Sequence, residues 1–397
     1  MALPLEGIRV LDFAQVYAGP AAAMYLADQG ADVVKVEPPG GEACRHIYTV
    51  PGKSPFSFPF VALNRNKRSM VVDLDRRDGQ EVAHRLAREA DVIILSLRPH
   101  QAARMRMDHP TLRRLNPRLI YVSISGFGEE GPDAGKPAYD LALQARAGIL
   151  AAHRLPDGTP MPLTVMVNDM SCAMMTAFAI MVALWQRQAT GEGQQLNLAL
   201  LDMSIAMQAQ QLVRVEGDGS RLPGSRFAAT VGAFRCADGE YLMVIAMTER
   251  QWLNLCQVLD LPHLAQDPDL RSYDARQERA EELYPVLEAL LATRPRAEWQ
   301  ALLEKAEIPC GPVVDRRAVF ADPQLAANGT LVDTVHPTLG KMRMMGVPFR
   351  GSWQTVERAN PIRRPAPGLG EHTEEVMREI GYTPSQIERL RTAGAVG

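Results

Sequence analysis

Short apolar runs alternate with amphipathic stretches over residues 8–128, and that alternation restricts the fold more than any other feature of the chain. "IRVLDF" (8–13), "ADVVKVE" (31–37), "SMVVDLD" (69–75), "DVIILSL" (91–97) and "LIYVSISGFG" (119–128) are compact and rich in Val and Ile. They read as buried strands. "GPAAAMYLADQG" (19–30), "GQEVAHRLAREA" (79–90) and "TLRRLNP" (111–117) lie between them and read as helices. Pro20 near a first turn and Gly30 just past an end give the first of these the expected asymmetry. Strands alternating with helices imply a parallel sheet covered on both faces, a Rossmann-like α/β domain. Such sheets bind ligands beyond the carboxyl ends of their strands.

Asp169 interrupts the pattern. "PLTVMV" (162–167) reads as a short β-like run, and an almost wholly apolar stretch, 170–185, follows the aspartate. That stretch is shorter than a membrane span, so a buried core helix is expected. Asp169 fits its N-cap, where a carboxylate accepts bonds from free first-turn amides. A strand and helix are expected in "TGEGQQLNLALLDMSIAMQAQQL" (190–212). The composition then changes. "GDGSRLPGS" (217–225) reads as a linker, and "VGAFRCADGEYLMVIAM" (231–247) as a hairpin turning at Asp238–Gly239. Helices are expected around 251–259, 277–292 and 296–305, which makes a smaller α+β domain. Beyond Pro323 the chain turns β-like again ("GTLVDTVHP", "KMRMMGVPF") and ends in a Pro-rich link and a helix near 371–381. The expected division is 1–216 for the first part of the large domain, 217–322 for the linker and small domain, and 323–397 for the return.

Several function classes are disfavoured. The net charge of −3 supplies no basic field for nucleic acid. Five scattered cysteines without C-x-x-C spacing, and histidines without an H-x-x-x-H pair, offer no metal site and fit a reducing cytoplasm. "MALPLEGIRV" shows no basic-then-apolar leader, so neither secretion nor membrane attachment is expected. "GFGEEG" (126–131) matches the dinucleotide fingerprint, but Pro132, Gly135 and Pro137 follow it, and Glu129 and Glu130 would oppose a pyrophosphate. A mobile loop after a strand is the better reading, and such a loop can close over a site. No P-loop and no G-x-S-x-G elbow occurs. Lys67 and Arg68 in "NKRS" are candidates to steady phosphates or to cap a strand edge.

Seven blocks in order resemble the class III CoA-transferases, the CaiB/BaiF family that includes formyl-CoA transferase and α-methylacyl-CoA racemase. They are the opening "PLEGIRVLDFAQVYAGPAAAMYLADQGADVVKVEPPG", "NRNKRSMVVDLD", "LNPRLIYVSISGFG", "KPAYDLALQARAG", "NDMSCAMMTAFAIMVALWQRQATGEGQ", "IPCGPV" and "LGEHTEEV". The resemblance implies a CoA-transferase acting on an acyl-CoA and a carboxylic acid, with coenzyme A as co-substrate and no permanently bound cofactor or metal. It also implies an interlocked homodimer. Asp169 matches the family nucleophile, which forms an acyl anhydride and then an aspartyl-CoA thioester. Backbone amides of "GFGEEG" and of the "NDMSC" helix start are candidate oxyanion donors.

By the same resemblance, Val16, Tyr17 and Ala18 match positions that contact the pantetheine end of CoA, and Arg104 matches one that meets its nucleotide end. Ser96, Leu97 and Met105 fall at CoA-lining positions. Lys136 lies beside another such position, and Tyr139 and Asp140 form the family's "YD" block, with Asp140 read as a supporting or CoA-side carboxylate. Tyr17, Pro38 and Ser96 stand where formyl-CoA transferase has glutamine, arginine and asparagine, and its glycine-rich shielding loop has no counterpart. These departures count against formyl-CoA:oxalate specificity. The alternative, a 2-methylacyl-CoA racemase, needs two acid–base groups. That branch has histidine where this chain has Tyr139, a poor base near neutrality. Arg226, Arg235 and Arg250 are candidates to hold a dicarboxylate.

Overall fold

A computed structural model of the chain describes residues 2–53, 55–155, 157–216, 229–349, 351–353 and 360–397. The expected linker at 217–225 and Arg226 lie outside the described residues. The described chain falls into two compact units, one holding Met1–Ala151, Pro160–Leu212 and Gln324–Gly397, the other Ala152–Thr159 and Val213–Pro323.

In order, the first unit runs β1 (Arg9–Asp12), α1 (Ala18–Asp28), β2 (Asp32–Glu37), α2 (Phe58–Leu63), β3 (Lys67–Val71), α3 (Arg77–Glu89), β4 (Val92–Leu95), α4 (Pro99–Arg104), α5 (His109–Leu115) and β5 (Ile120–Ser125). It continues through α6 (Asp140–Arg146), α7 (Ile149–Ala152), α8 (Val167–Thr190), β6 (Gln195–Ala199) and α9 (Leu200–Ala206). The six strands form one sheet in the order β3-β2-β1-β4-β5-β6, with every pair parallel. The continuous apolar runs feed two cores because successive side chains leave a strand on opposite faces. Val10, Val92, Ile94, Ile120 and Val122 join α1 and α8 in one core. Leu11, Ile93, Leu95 and Tyr121 join α3, α5 and the C-terminal helices in the other.

The second unit holds β7 (Val231–Arg235) and β8 (Tyr241–Ile245), then α10 (Glu249–Val258), α11 (Pro262–Gln266), α12 (Tyr273–Glu278), α13 (Ala280–Leu291), α14 (Arg296–Lys305) and β9 (Cys310–Pro312). Its three strands are antiparallel and pack on a core that includes Phe234, Trp252 and Leu287. The hairpin turns where Gly239 takes φ +83°. One helix was expected over 277–292; two form instead, because Arg279 departs from helical ψ (22°) at their junction. The chain then passes through α15 (Pro323–Asn328) to the antiparallel pair β10 (Leu331–His336) and β11 (Gly340–Met345), and ends in α16 (Thr373–Glu379) and α17 (Pro384–Thr392).

Two local expectations fail. Residues 162–166 form no strand. The Gln144 side chain takes up both the amide and the carbonyl of Leu163, so no ladder forms there. Helix α8 is 24 residues long, enough by length and composition to cross a membrane, and only one of its faces is buried. Cys172, Ala173, Ile180 and Ala183 pack into the core, while Met174, Phe178, Met181 and Trp185 point outward, Trp185 being 75% exposed.

Candidate active site

The strand order reverses between β1 and β4, so the loops leaving these strands part and open a cleft at their carboxyl ends. The cleft holds about 360 Å³. It is lined by the β1–α1 loop (Gln15, Val16), the start of α1 (Ala18, Gly19), the β4–α4 loop (Ser96, Leu97, Arg98), the end of β5 and the loop before α6 (Lys136, Pro137, Ala138, Tyr139), with Asp169 among them.

Asp169 is not the N-cap of α8. Met166 holds that position, and Asp169 stands in the first turn. The capping oxygen comes from another helix. Asp140 Oδ2 accepts from the amides of Asn168 (2.8 Å) and Asp169 (3.0 Å), and its Oδ1 accepts from Gln144 Nε2 (2.6 Å). With the orphan amides met by a distant carboxylate, the Asp169 side chain is free to face the cleft. Ala18, the first residue of α1, lines the cleft with Asp169, and its backbone amide lowers the Asp169 pKa. The amino ends of two packed helices therefore converge on one carboxylate, an arrangement that favours the anion.

Burial works the other way, and it wins. Burial, with the charge of Asp140 added, pushes the Asp169 carboxyl up to about 7, while the Ala18 amide pulls it down. At neutral pH the group is poised between acid and carboxylate. Burial raises the phenol of the neighbouring Tyr17, as do Cys44, Tyr48 and Asp169.

The structure brings Val16, Ala18, Ser96, Leu97, Lys136 and Tyr139 around Asp169 in one cleft. Tyr17 packs instead against the cores on either side. Arg104 is exposed and pairs with Asp75 at 2.9 Å, and Met105 packs on the α3 core, so both lie off the cleft lining. Asp140 is buried behind it. Lys136 and Arg146 both pair with Asp133, which braces the loop that carries Tyr139. That loop has no helix until Asp140, in keeping with the reading of "GFGEEG" as a loop. The amides of Asn168, Asp169 and Met170 are already engaged, the last by the Met166 carbonyl, so the start of α8 offers no free oxyanion donor there. Lys67 and Arg68 lie on β3, the edge strand of the sheet, and both are buried there rather than open to a phosphate. Arg235 is exposed on β7, and Arg250 pairs with Glu307.

Sequence reasoning passed over Arg98, Gln101 and Leu200, which also line the cleft. Pro99 at the first position of α4 was the available signal for the first two. Among the described residues no group of three or more His, Cys, Asp or Glu side chains could hold a metal ion.

Residues 5–373 match CoA-transferase family III. The chain is 32% identical to the succinyl-CoA:glutarate CoA-transferase of Mus musculus, over 99% of this chain and 90% of that one. It is also 32% identical to the formyl-CoA:oxalate CoA-transferase of Streptomyces coelicolor, over 99% of both. A crystal structure of a CAIB/BAIF family protein from Brucella suis superposes with a TM-score of 0.82 at 31% identity, covering 96% of this chain and 100% of that one. The chain belongs to CoA-transferase family III.

Proposed function

We propose that this member of CoA-transferase family III moves coenzyme A from an acyl-CoA donor to a carboxylic acid through covalent intermediates on Asp169. The observation that carries the reading is a cleft-lining carboxylate at the head of two helices, raised to about 7 and so shared between acid and carboxylate at neutral pH. A carboxylate of raised pKa is a stronger nucleophile than an ordinary one, once ionised.

An Asp169 oxygen attacks the thioester carbonyl carbon, the C–S bond breaks, and CoA departs as thiolate, leaving a mixed anhydride. The thiolate attacks the Asp169 carbonyl carbon and expels the donor acid as carboxylate, leaving an aspartyl-CoA thioester. The acceptor carboxylate attacks that thioester and displaces the thiolate again. The thiolate finally takes the acceptor acyl group, and the Asp169 carboxylate is restored. One thioester replaces another, so no nucleoside triphosphate is consumed.

Coenzyme A is the co-substrate. Its pantetheine arm runs past Val16, Tyr17, Ala18, Ser96 and Leu97, with Lys136 and Tyr139 on the opposite wall, Asp140 supporting that wall from behind, and Arg104 and Met105 toward the nucleotide. The outward apolar face of α8 supports a homodimer that covers it, in the interlocked form the resemblance implies. The proposed domain division stays at 1–216, 217–322 and 323–397. Five free cysteines, four of them buried, support a reducing cytoplasmic setting. A racemase would need a second base beside Asp169. Asp140 is committed to three donors and Tyr139 is 71% exposed, which weighs against that chemistry.

The test is covalent capture. The protein is incubated with a panel of acyl-CoAs, quenched with hydroxylamine or borohydride, and mapped by mass spectrometry. Modification at Asp169, absent in Asp169→Ala, is the expected result. An unmodified Asp169 in a protein that binds the same acyl-CoAs would sink the reading.

A further inference from the structure

The β1–α1 loop contains a conformation that its sequence should resist. Val16 sits at φ +70°, in the left-handed region, where a β-branched side chain is a clear outlier. Glycine would adopt that turn freely, but glycine would remove a side chain that lines the cleft. Something must therefore hold the valine. The Val16 amide donates to Glu42 Oε2 at 2.7 Å. Glu42 follows β2 and is buried, 1% exposed. Its other oxygen stands 3.1 Å from Lys35 Nζ, whose ammonium also reaches the Ala14 carbonyl. Gln15 completes the clamp by donating to Ser96 Oγ at 3.0 Å. Three consecutive loop residues are thus tied to three different side chains, and two residues beyond the turn Ala18 lines the cleft together with Asp169.

We propose that Glu42 is a positioning residue: by holding the Val16 amide it fixes a left-handed turn that delivers the Ala18 N–H to Asp169. The inference rests on the reading of Asp169 as nucleophile, but it concerns how that carboxylate is held ionisable. Glu42 is suited to the task because its charge is fixed in place. Lys35 lies beside it, Lys67 and Asp12 complete the buried cluster, and Cys44 adds no cation. A neutral acceptor would hold the strained amide less firmly and leave Lys35 short of a partner.

The groups facing Asp169 are Asp140 from α6, Tyr17 at the head of α1 and Cys172 on its own helix, with Lys136 and Arg98 also lining the cleft. The Ala18 amide is the donor that lowers its pKa, so losing it raises the titration further.

The experiment compares wild type, Glu42→Gln, Val16→Gly and the double variant in the full chain. The pH dependence of kcat/KM for CoA transfer is measured from pH 5 to 9. Alongside it, the pH profile of carbodiimide labelling at Asp169 is mapped by mass spectrometry. A rise of about one pKa unit in Glu42→Gln would cut the ionised fraction about fivefold at pH 7 and hardly at all at pH 9. Glycine at position 16 needs no holding, so the double variant should recover at least half of the shift relative to Val16→Gly alone. A loss equal at pH 7 and pH 9, or one that glycine does not reduce, would overturn the proposal. The labelling readout needs no turnover: if CoA transfer is absent but the Asp169 profile still shifts, the transferase reading fails and the positioning role stands. Should Glu42→Gln not fold, hydrogen exchange in the wild type decides. Slow exchange of the Val16 and Ala18 amides is expected, and free exchange at Val16 would overturn the proposal.

Discussion

Lys67 and Arg68 are neighbours on β3, yet they leave it on opposite faces of the sheet and meet opposite electrostatic fates. Lys67 is fully buried on the α1 side, where its ammonium binds Asp12 Oδ2, Asn64 Oδ1 and the Pro20 carbonyl, each at 2.8 Å. Burial drags its pKa down to about 8 although Asp12 opposes the fall. Arg68 leaves on the α16 side and pairs with Asp32, Glu375 and Glu379. There burial is outweighed by Glu379 and Asp32, and its pKa rises. The partners explain the difference. Those of Arg68 remain partly wet, with 38–52% of each side chain exposed, whereas Asp12 is wholly dry. Charge on the cleft face is dehydrated and organises the loop under Asp169; charge on the far face is hydrated and ties down α16.

The largest consequence follows from dehydration. Lys67→Met keeps the volume and leaves Asp12 with the Ala14 amide and, as its one remaining paired cation, Lys35 at 3.7 Å. Breaking a buried pair from one side should cost ~3–5 kcal/mol, read by urea unfolding. A cost below ~1 kcal/mol would mean that water reaches the cluster, and the contrast between the faces would collapse.

Asp169 sharpens the contrast from the same face with the opposite sign. Its folded pKa of about 7 lies above the ordinary 3.8. As pH rises, the unfolded chain therefore releases this proton first, and the native state loses stability from about pH 4 up to about pH 7. Asp169→Asn removes that titration and the repulsion from Asp140. It should abolish CoA transfer while adding ~1–3 kcal/mol of stability at pH 8, a discounted figure for a partly screened group. Thermal melts should show the gap over wild type growing between pH 4 and pH 7 and constant above. A variant no more stable at pH 8 than at pH 4 would contradict a raised pKa.

The sequence carried the sheet clearly because its strands are buried on both faces and so appear as unbroken apolar runs. It carried α1 and the hairpin at Asp238–Gly239 for the same local reason, since Pro20, Gly30 and Gly239 mark ends that depend only on neighbours. It misled where a distant side chain replaces a local partner. Asp169 looked like an N-cap because nothing in "VNDMS" announces that Asp140, 29 residues earlier, supplies the oxygen. Residues 162–166 looked like a strand because Gln144 is invisible from there. The left-handed Val16 could not be read at all, since its residue type argues against its conformation. The last helix, α17, was missed although Thr383 and Gln386 form a capping box, a signal weakened by few apolar residues behind it.

The smallest effect belongs to the far face, and it tests whether hydration makes the difference. Arg68→Met strips one cation from three carboxylates, none of which is trapped. Each can turn to water, so the expected cost is ~1–2 kcal/mol, below that of Lys67→Met. The loss should also be local. Hydrogen exchange should quicken across Thr373–Glu379, which Arg68 holds through Glu375 and Glu379, and stay unchanged at Gln15–Ala18. Salt separates the two faces further: 1 M NaCl should shrink the Arg68 effect and leave the Lys67 effect nearly whole, because only the former pairs sit within reach of solvent ions. If both effects shrank together, the two clusters would share one environment, and the buried one would no longer be a rigid base for the loop beneath Asp169.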